Sequence, residues 1–132
     1  MGHVNNVSYV GWMQDAAVAH STANGWDWNR YLEYGAAFVA RAHAIEYFLP
    51  VRETDQIQVK TWVAGMKRVS STRRYEIVLN GSEKVVAKAE TRWAFVDIQT
   101  GKPQKIPSEL IDCFVILQDS LDRYGMQQPQ DD

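Results

Sequence analysis

The sequence predicts an α+β domain in which an antiparallel sheet wraps around one long helix. Three observations carry this. A helical segment that is apolar or small around much of its circumference precedes every strand-like segment, so it needs cover on more than one side. Four strand-like segments follow it, and Gln56 to Val63 shows clear two-residue alternation. Asn80-Gly81 between the last two is a two-residue hairpin signal, which makes that pair antiparallel.

The first helix is expected from about Val7 to Ala23. Asn5 or Asn6 supplies a capping side-chain oxygen, and Asn24-Gly25 supplies the left-handed exit. Tyr9, Met13, Ala16, Ala17 and His20 fall at helical spacing. Val10, Val18 and Ala19 extend the apolar surface, leaving Gln14 and Asp15 as the main polar interruptions. Trp26 to Tyr34 is aromatic and polar together and ends at Gly35. It reads equally as a lid or interface over a cleft and as the floor of the core. Strands are expected over Phe38 to Phe48, stopped by Pro50, then Gln56 to Val63, Ser70 to Leu79 and Lys84 to Asp97. Pro107 suits the first position of a helix, and Ser108 to Leu121 carries the apolar period of a final amphipathic helix.

A length of 132 residues with 45% apolar residues fits one domain, 1–132, with order expected to about residue 125 and a loose tail over 126–132. A net charge of −2 gives no global attraction for nucleic acid or an anionic membrane surface. No long uncharged apolar run or leader pattern is visible, and a single cysteine forms no intramolecular disulfide, so the expected compartment is the cytoplasm. Cys113 lies among Leu110, Ile111, Phe114 and Leu117 and reads as a buried structural thiol.

The opening run Gly2-His3-Val4-Asn5-Asn6, with Tyr9 and Trp12 behind it, resembles the signature of the hotdog-fold thioesterases, the 4-hydroxybenzoyl-CoA and acyl-ACP thioesterase group. The resemblance continues through Tyr47-Phe48-Leu49-Pro50, Asp55-Gln56-Ile57, Arg92 to Asp97, Gly101-Lys102-Pro103 and Ile106-Pro107, nearly the whole chain. It implies the hotdog fold, hydrolysis of an acyl-CoA thioester without metal or other cofactor, and a homodimer or homotetramer. The family also carries a preceding strand and a carboxylate shortly before the Gly-His pair. Only Met1 stands there in this sequence, and the expectation is a start further upstream.

The chemistry implied begins at the helix start, whose unpaired N–H groups and positive dipole end stabilise a developing oxyanion. The resemblance makes His3, Asn5 and Asn6 the catalytic candidates, with Gly2, Val7 and Tyr9 against the thioester. Plain capping is the competing role for the asparagines, and a flexible terminal residue for His3. The base is the missing element, worth on the order of a hundredfold to ten-thousandfold in rate. Asp15 and Glu46 are the possible substitute carboxylates, each with a structural role as competitor. In the basic segment Lys67 to Arg74, Arg68, Ser70 and Ser71 are the candidates for the phosphates of coenzyme A or the acidic helix of an acyl carrier protein. Arg73 and Arg74 read as a solvated sheet face balanced by Glu76, Glu83 and Glu90. His20 and His43 have no metal-ligand spacing, so no metal site is expected. Three further readings compete with the acyl-CoA hydrolase: an acyl-ACP thioesterase, a catalytically impaired acyl-thioester-binding homodimer and, more weakly, a hydratase or dehydratase of the same fold.

Overall fold

Helix α1 (Asn6–Ala23) lies against the sheet through Tyr9, Met13 and Ala17, a four-residue repeat that puts all three on one stripe. These are the first elements of a computed structural model that describes residues 6–117. The opposite side of α1 is open. Gln14, Asp15 and Ala19 are exposed, and Val18 is 65% exposed. The cover on several sides expected from composition is therefore absent within one chain. The helix ends as expected: the Asn24 amide, from both main chain and side chain, donates to the His20 carbonyl, and Gly25 takes φ +94°.

The aromatic segment becomes α2 (Trp28–Tyr34). The Asp27 carboxylate accepts from the Arg30 main-chain N–H, and Gly35 closes the far end at φ +92° by donating to the Tyr31 carbonyl. Its aromatics divide between both expected roles. Trp26 and Tyr31 are buried in a cluster with Ala36, Val63, Phe95 and Phe114, whereas Trp28 is 60% exposed.

Four strands follow, β1 (Ala36–Tyr47), β2 (Ile57–Met66), β3 (Ser70–Leu79) and β4 (Val85–Asp97), in one antiparallel sheet ordered β1-β4-β3-β2. They agree with the expected spans to within a few residues. The β3–β4 connection differs in detail. Ser82 N–H donates to Leu79, and Leu79 N–H donates to Lys84, so the loop is four residues rather than two. Gly81 has φ +79° while Asn80 has no positive φ, the sign pattern of a type II turn.

Register assigns the sheet faces. Ser71, Arg73, Tyr75 and Ile77 of β3 stand opposite Trp93, Thr91, Ala89 and Ala87 of β4. These residues face α1: Met13 packs with Tyr75 and Ala89, and Tyr9 with Ile77 and Ala87. On the outer face Arg74 and Glu90 form an ion pair at 3.1 Å, with side chains 2% and 6% exposed. Arg73 and Arg74 are thus both buried, correcting the solvated-face reading. Each edge strand carries a bulge at the same level of the sheet, at Arg41 in β1 and Ala64 in β2.

The last helix is the main departure. Helix α3 spans only Ser108–Ile111, with Pro107 at its N-cap. Leu110 and Phe114 still reach the core, but Ile116 then forms a parallel bridge to Val63, and Leu117 N–H donates to the Val63 carbonyl at 2.8 Å. The free edge of β2 offers main-chain partners to the run Val115-Ile116, whose β-branched residues favour an extended chain. Cys113 is half-buried, not buried, and its thiol donates to the Glu109 carbonyl. Residues 118–132, including the expected helix end and tail, lie outside the described residues, and no described helix is long and apolar enough to cross a membrane.

Candidate functional site

A cavity of about 220 Å³ opens between the second half of α1, the Trp26–Tyr31 segment and the inner face of the sheet. Its walls are chiefly apolar: Ala17, Trp26, Tyr31, Phe38, Val63 and Phe114. The two bulges sit beside it and bend both edge strands where they border the space.

Polar groups enter from the sheet. Arg73 lines the cavity, is 6% exposed, and directs Nη1 to His20 Nδ1 at 3.0 Å and Thr61 Oγ1 at 3.2 Å. On the same rung, Thr91 stands beside Arg73, and its hydroxyl meets His43 Nδ1 at 2.8 Å. A polar row His43–Thr91–Arg73 therefore crosses three strands, with His20 of α1 at the Arg73 end. Burial holds His20 below the ordinary histidine range, and the Arg73 charge adds to this; burial alone does so for His43. A neutral His20 has a lone pair to receive the Arg73 N–H. Burial also pushes the Tyr75 and Tyr31 hydroxyls up and lowers the Arg73 guanidinium from its usual value.

Hydrogen-bond capacity is uneven here. The indole N–H groups of Trp26 and Trp93, both cavity residues, are buried; that of Trp26 has no acceptor, and that of Trp93 has the Tyr75 hydroxyl beside it. No carboxylate among the described residues lies within ion-pair distance of Arg73. The site is rich in donors and poor in acceptors.

Of the described residues proposed from sequence for catalysis or substrate binding, Ser71 alone lines the cavity, beside Trp26, Trp28 and Tyr31 of the segment expected over a cleft; Ser71 is buried, and its hydroxyl donates to the Gly65 carbonyl. Ser70 is half-buried and Arg68 exposed, in a turn where Lys67 N–H donates to the Ser70 carbonyl and Ile106 N–H to that of Arg68. Tyr9 is 3% exposed and packs edge-on against Tyr47, with ring centroids 5.0 Å apart, in the core rather than on the cavity. Asp15 and Glu46 are both exposed and away from the cavity walls. Asn6 and Val7 are the first two residues of α1; Gly2, His3 and Asn5 lie outside the described residues. From Asn6 to Ala17 the helix advances about 16 Å at 1.5 Å per residue, so its start and the cavity are separate places on one chain. Among the described residues no group of three His, Cys, Asp or Glu side chains is placed to hold a metal ion.

Sequence reading missed Arg73, Thr91 and the two histidines. The signal was present: adjacent strand residues point to opposite faces, so Arg73 and Arg74 cannot share a solvated one. Arg73 is in phase with Tyr75 and Ile77, which marks it as the inward member.

The arrangement matches a known family over most of its length. The profile of the thioesterase-like superfamily matches residues 1–114. The chain belongs to that superfamily. It is 26% identical over 110 residues to the acyl-CoA thioester hydrolase YbgC of Escherichia coli, covering 83% of this chain and 81% of that one. A crystal structure of a Pseudomonas aeruginosa protein superposes with a TM-score of 0.76 at 28% identity, over 90% of this chain and 82% of the other. A Thermus thermophilus thioesterase complexed with coenzyme A and zinc gives 0.69 at 25%, over 84% and 82%. The fold is the hotdog fold expected from the opening signature, and the thioesterase-like superfamily makes the chain a thioester hydrolase.

Proposed function

We propose that the protein is an acyl-CoA thioesterase, converting an acyl-CoA to the free acid and coenzyme A. The observation that carries this is the apolar, ring-lined cavity between α1 and the sheet in a chain of the thioesterase-like superfamily. Its similarity to YbgC and to a thioesterase complexed with coenzyme A supports the choice of carrier.

In this reading the main-chain N–H groups at the start of α1, around Asn6 and Val7, receive the oxyanion formed when the carbonyl is attacked. His3 orients the thioester or water, Asn5 and Asn6 hold the approach to the helix, and Gly2, Val7 and Tyr9 shape the thioester end. Water delivers oxygen to the acyl carbon, the C–S bond breaks, and the thiolate leaves with a proton. No metal or other cofactor takes part. Arg68 and Ser70, at the exposed turn before β3, suit the phosphates of coenzyme A, while Ser71 belongs to the cavity wall. The family's base is a carboxylate, and Asp15 and Glu46 are the candidates for that role in this chain.

The 16 Å between the start of α1 and the cavity, and the open Val18 side of α1, favour a homodimer, or a homotetramer built from it, in which a second copy covers that side. The cytoplasm is the compartment this reading assigns.

Release of thiol, followed with a thiol-reactive dye across short, medium, long and aromatic acyl-CoAs, tests the proposal on this chain and on a version extended upstream. Activity only in the extended form assigns the base to the upstream residue. Activity in both directs attention to Asp15→Asn and Glu46→Gln. Activity on acyl carrier protein thioesters alone makes the carrier the protein, and none on any thioester leaves a binding homodimer.

A further inference from the structure

Arg73 is a buried cation that the catalytic scheme above does not use. Taking a guanidinium out of water costs several kcal/mol unless a counter-charge or a full set of acceptors replaces the solvent. Its two side-chain contacts, His20 Nδ1 and Thr61 Oγ1, are neutral and both engage the same nitrogen, Nη1. The other buried arginine, Arg74, has a carboxylate at 3.1 Å, so the fold does pair a buried guanidinium on the opposite face of the same strand. Beside Arg73, the Trp26 indole N–H is buried without an acceptor. A buried cation with only neutral side-chain partners and an indole N–H without an acceptor therefore border one apolar space.

We propose that this cavity receives an acyl group whose end remote from the thioester carries an anionic oxygen group, and that Arg73 is the specificity residue that reads its charge. The inference rests on the thioesterase reading and narrows its substrate class to carboxylate-bearing acyl thioesters with a compact apolar terminus. The volume is in keeping with this, since a cavity of roughly 150 Å³ takes one benzene ring, and about 220 Å³ leaves space for a ring or short branched segment with a carboxylate. A guanidinium and a carboxylate meet through two parallel N–H···O bonds, which fixes orientation as well as charge.

Two measurements on the full chain test this. In the first, isothermal titration calorimetry compares benzoate with benzamide, its neutral match in size and shape. Benzoate is expected to bind roughly ten- to a hundredfold more tightly, the range of a charge-assisted pair. Arg73→Met should erase most of the difference, and Arg73→Lys should keep the preference for the anion. Equal affinity for the two compounds, or no saturable binding of either, overturns the proposal without recourse to a variant. In the second, kcat/KM is compared for acyl-CoAs paired in length with and without a terminal carboxylate and long enough to reach the cavity from the start of α1, about 16 Å along the helix, such as tetradecanedioyl with tetradecanoyl. The carboxylate member should be favoured to a similar extent in the parent chain, and the preference should collapse in Arg73→Met. Hydrolysis of neutral acyl-CoAs with no anion preference removes this proposal and leaves the thioesterase reading intact. Arg73-dependent benzoate binding without cleavage of any thioester supports the anion site and removes the hydrolase reading.

Discussion

Replacing Arg74 by Met isolates the outer-face ion pair from the chemistry of the inner face. Arg74 and Glu90 sit directly opposite one another on β3 and β4, with Arg74 Nε 3.1 Å from Glu90 Oε1 and both side chains nearly closed to solvent. The variant leaves the Glu90 carboxylate buried without that cation. Removing one member of such a pair costs about 3–5 kcal/mol. Against a total stability of about 5–15 kcal/mol, this is a large loss, and for a chain of this size it lowers Tm by about 11–18 °C. The double variant Arg74→Met, Glu90→Leu removes both charges and restores apolar contact, so it should fall within about 1–2 kcal/mol of the parent. Urea unfolding of parent, single and double variants at one fixed protein concentration provides the comparison. A single variant that loses less than about 1 kcal/mol would show that water reaches the pair, at odds with its burial. A double variant worse than the single would show that the site depends on the charges themselves.

Three further outcomes are expected. Asp27→Ala removes the carboxylate that accepts the Arg30 N–H at the start of α2 and should cost about 1 kcal/mol by urea unfolding; an unchanged midpoint would mean that α2 stands without its cap. His20 and His43 are both held below the ordinary histidine value, so the unfolded chain binds protons first as pH drops below about 6.5, and the native state loses stability there. The urea midpoint should therefore fall between pH 7.5 and 5.5, and less so in a His20→Asn, His43→Asn chain; a midpoint that rises on acidification contradicts the sign. Arg68→Ala should raise KM for acyl-CoA more than it lowers kcat, because the side chain is exposed and remote from the start of α1; a pure kcat effect excludes the nucleotide-binding role.

Much of the fold was legible because two periods dominate this chain. The Tyr9, Met13, Ala17 spacing and the alternation through Gln56 to Val63 report burial directly, and the expected strands agree with β1 to β4 to within a few residues. The C-terminal segment misled because Leu110, Ile111, Phe114 and Leu117 have helical spacing, yet main-chain pairing to the edge of β2 at Val63 competes with the helix after Ile111. At Asn80-Gly81 the dipeptide marked the hairpin correctly while the loop length escaped it, since one glycine at positive φ suffices for a four-residue connection. The opening motif identified the family, but the polar row under the cavity needed the pairing of β1, β4 and β3, which brings together His43, Thr91 and Arg73 from distant parts of the chain.

The bulge at Arg41 decides how the two faces of β1 are read from its sequence. Before it, Phe38 and Ala40 pair with Phe95 and Trp93; after it, His43, Ile45 and Tyr47 pair with Thr91, Ala89 and Ala87, so the inward positions change from even to odd numbers. Deleting that one residue would make Ala40 and Ala42 neighbours already in register with Trp93 and Arg92, so His43, Ile45 and Tyr47 would keep their inward partners and only the local bend would be lost. Among homologues, a one-residue gap at this point is therefore one the sheet absorbs, and an alignment that places it anywhere else along the strand would match inner-face residues of one chain with outer-face residues of the other.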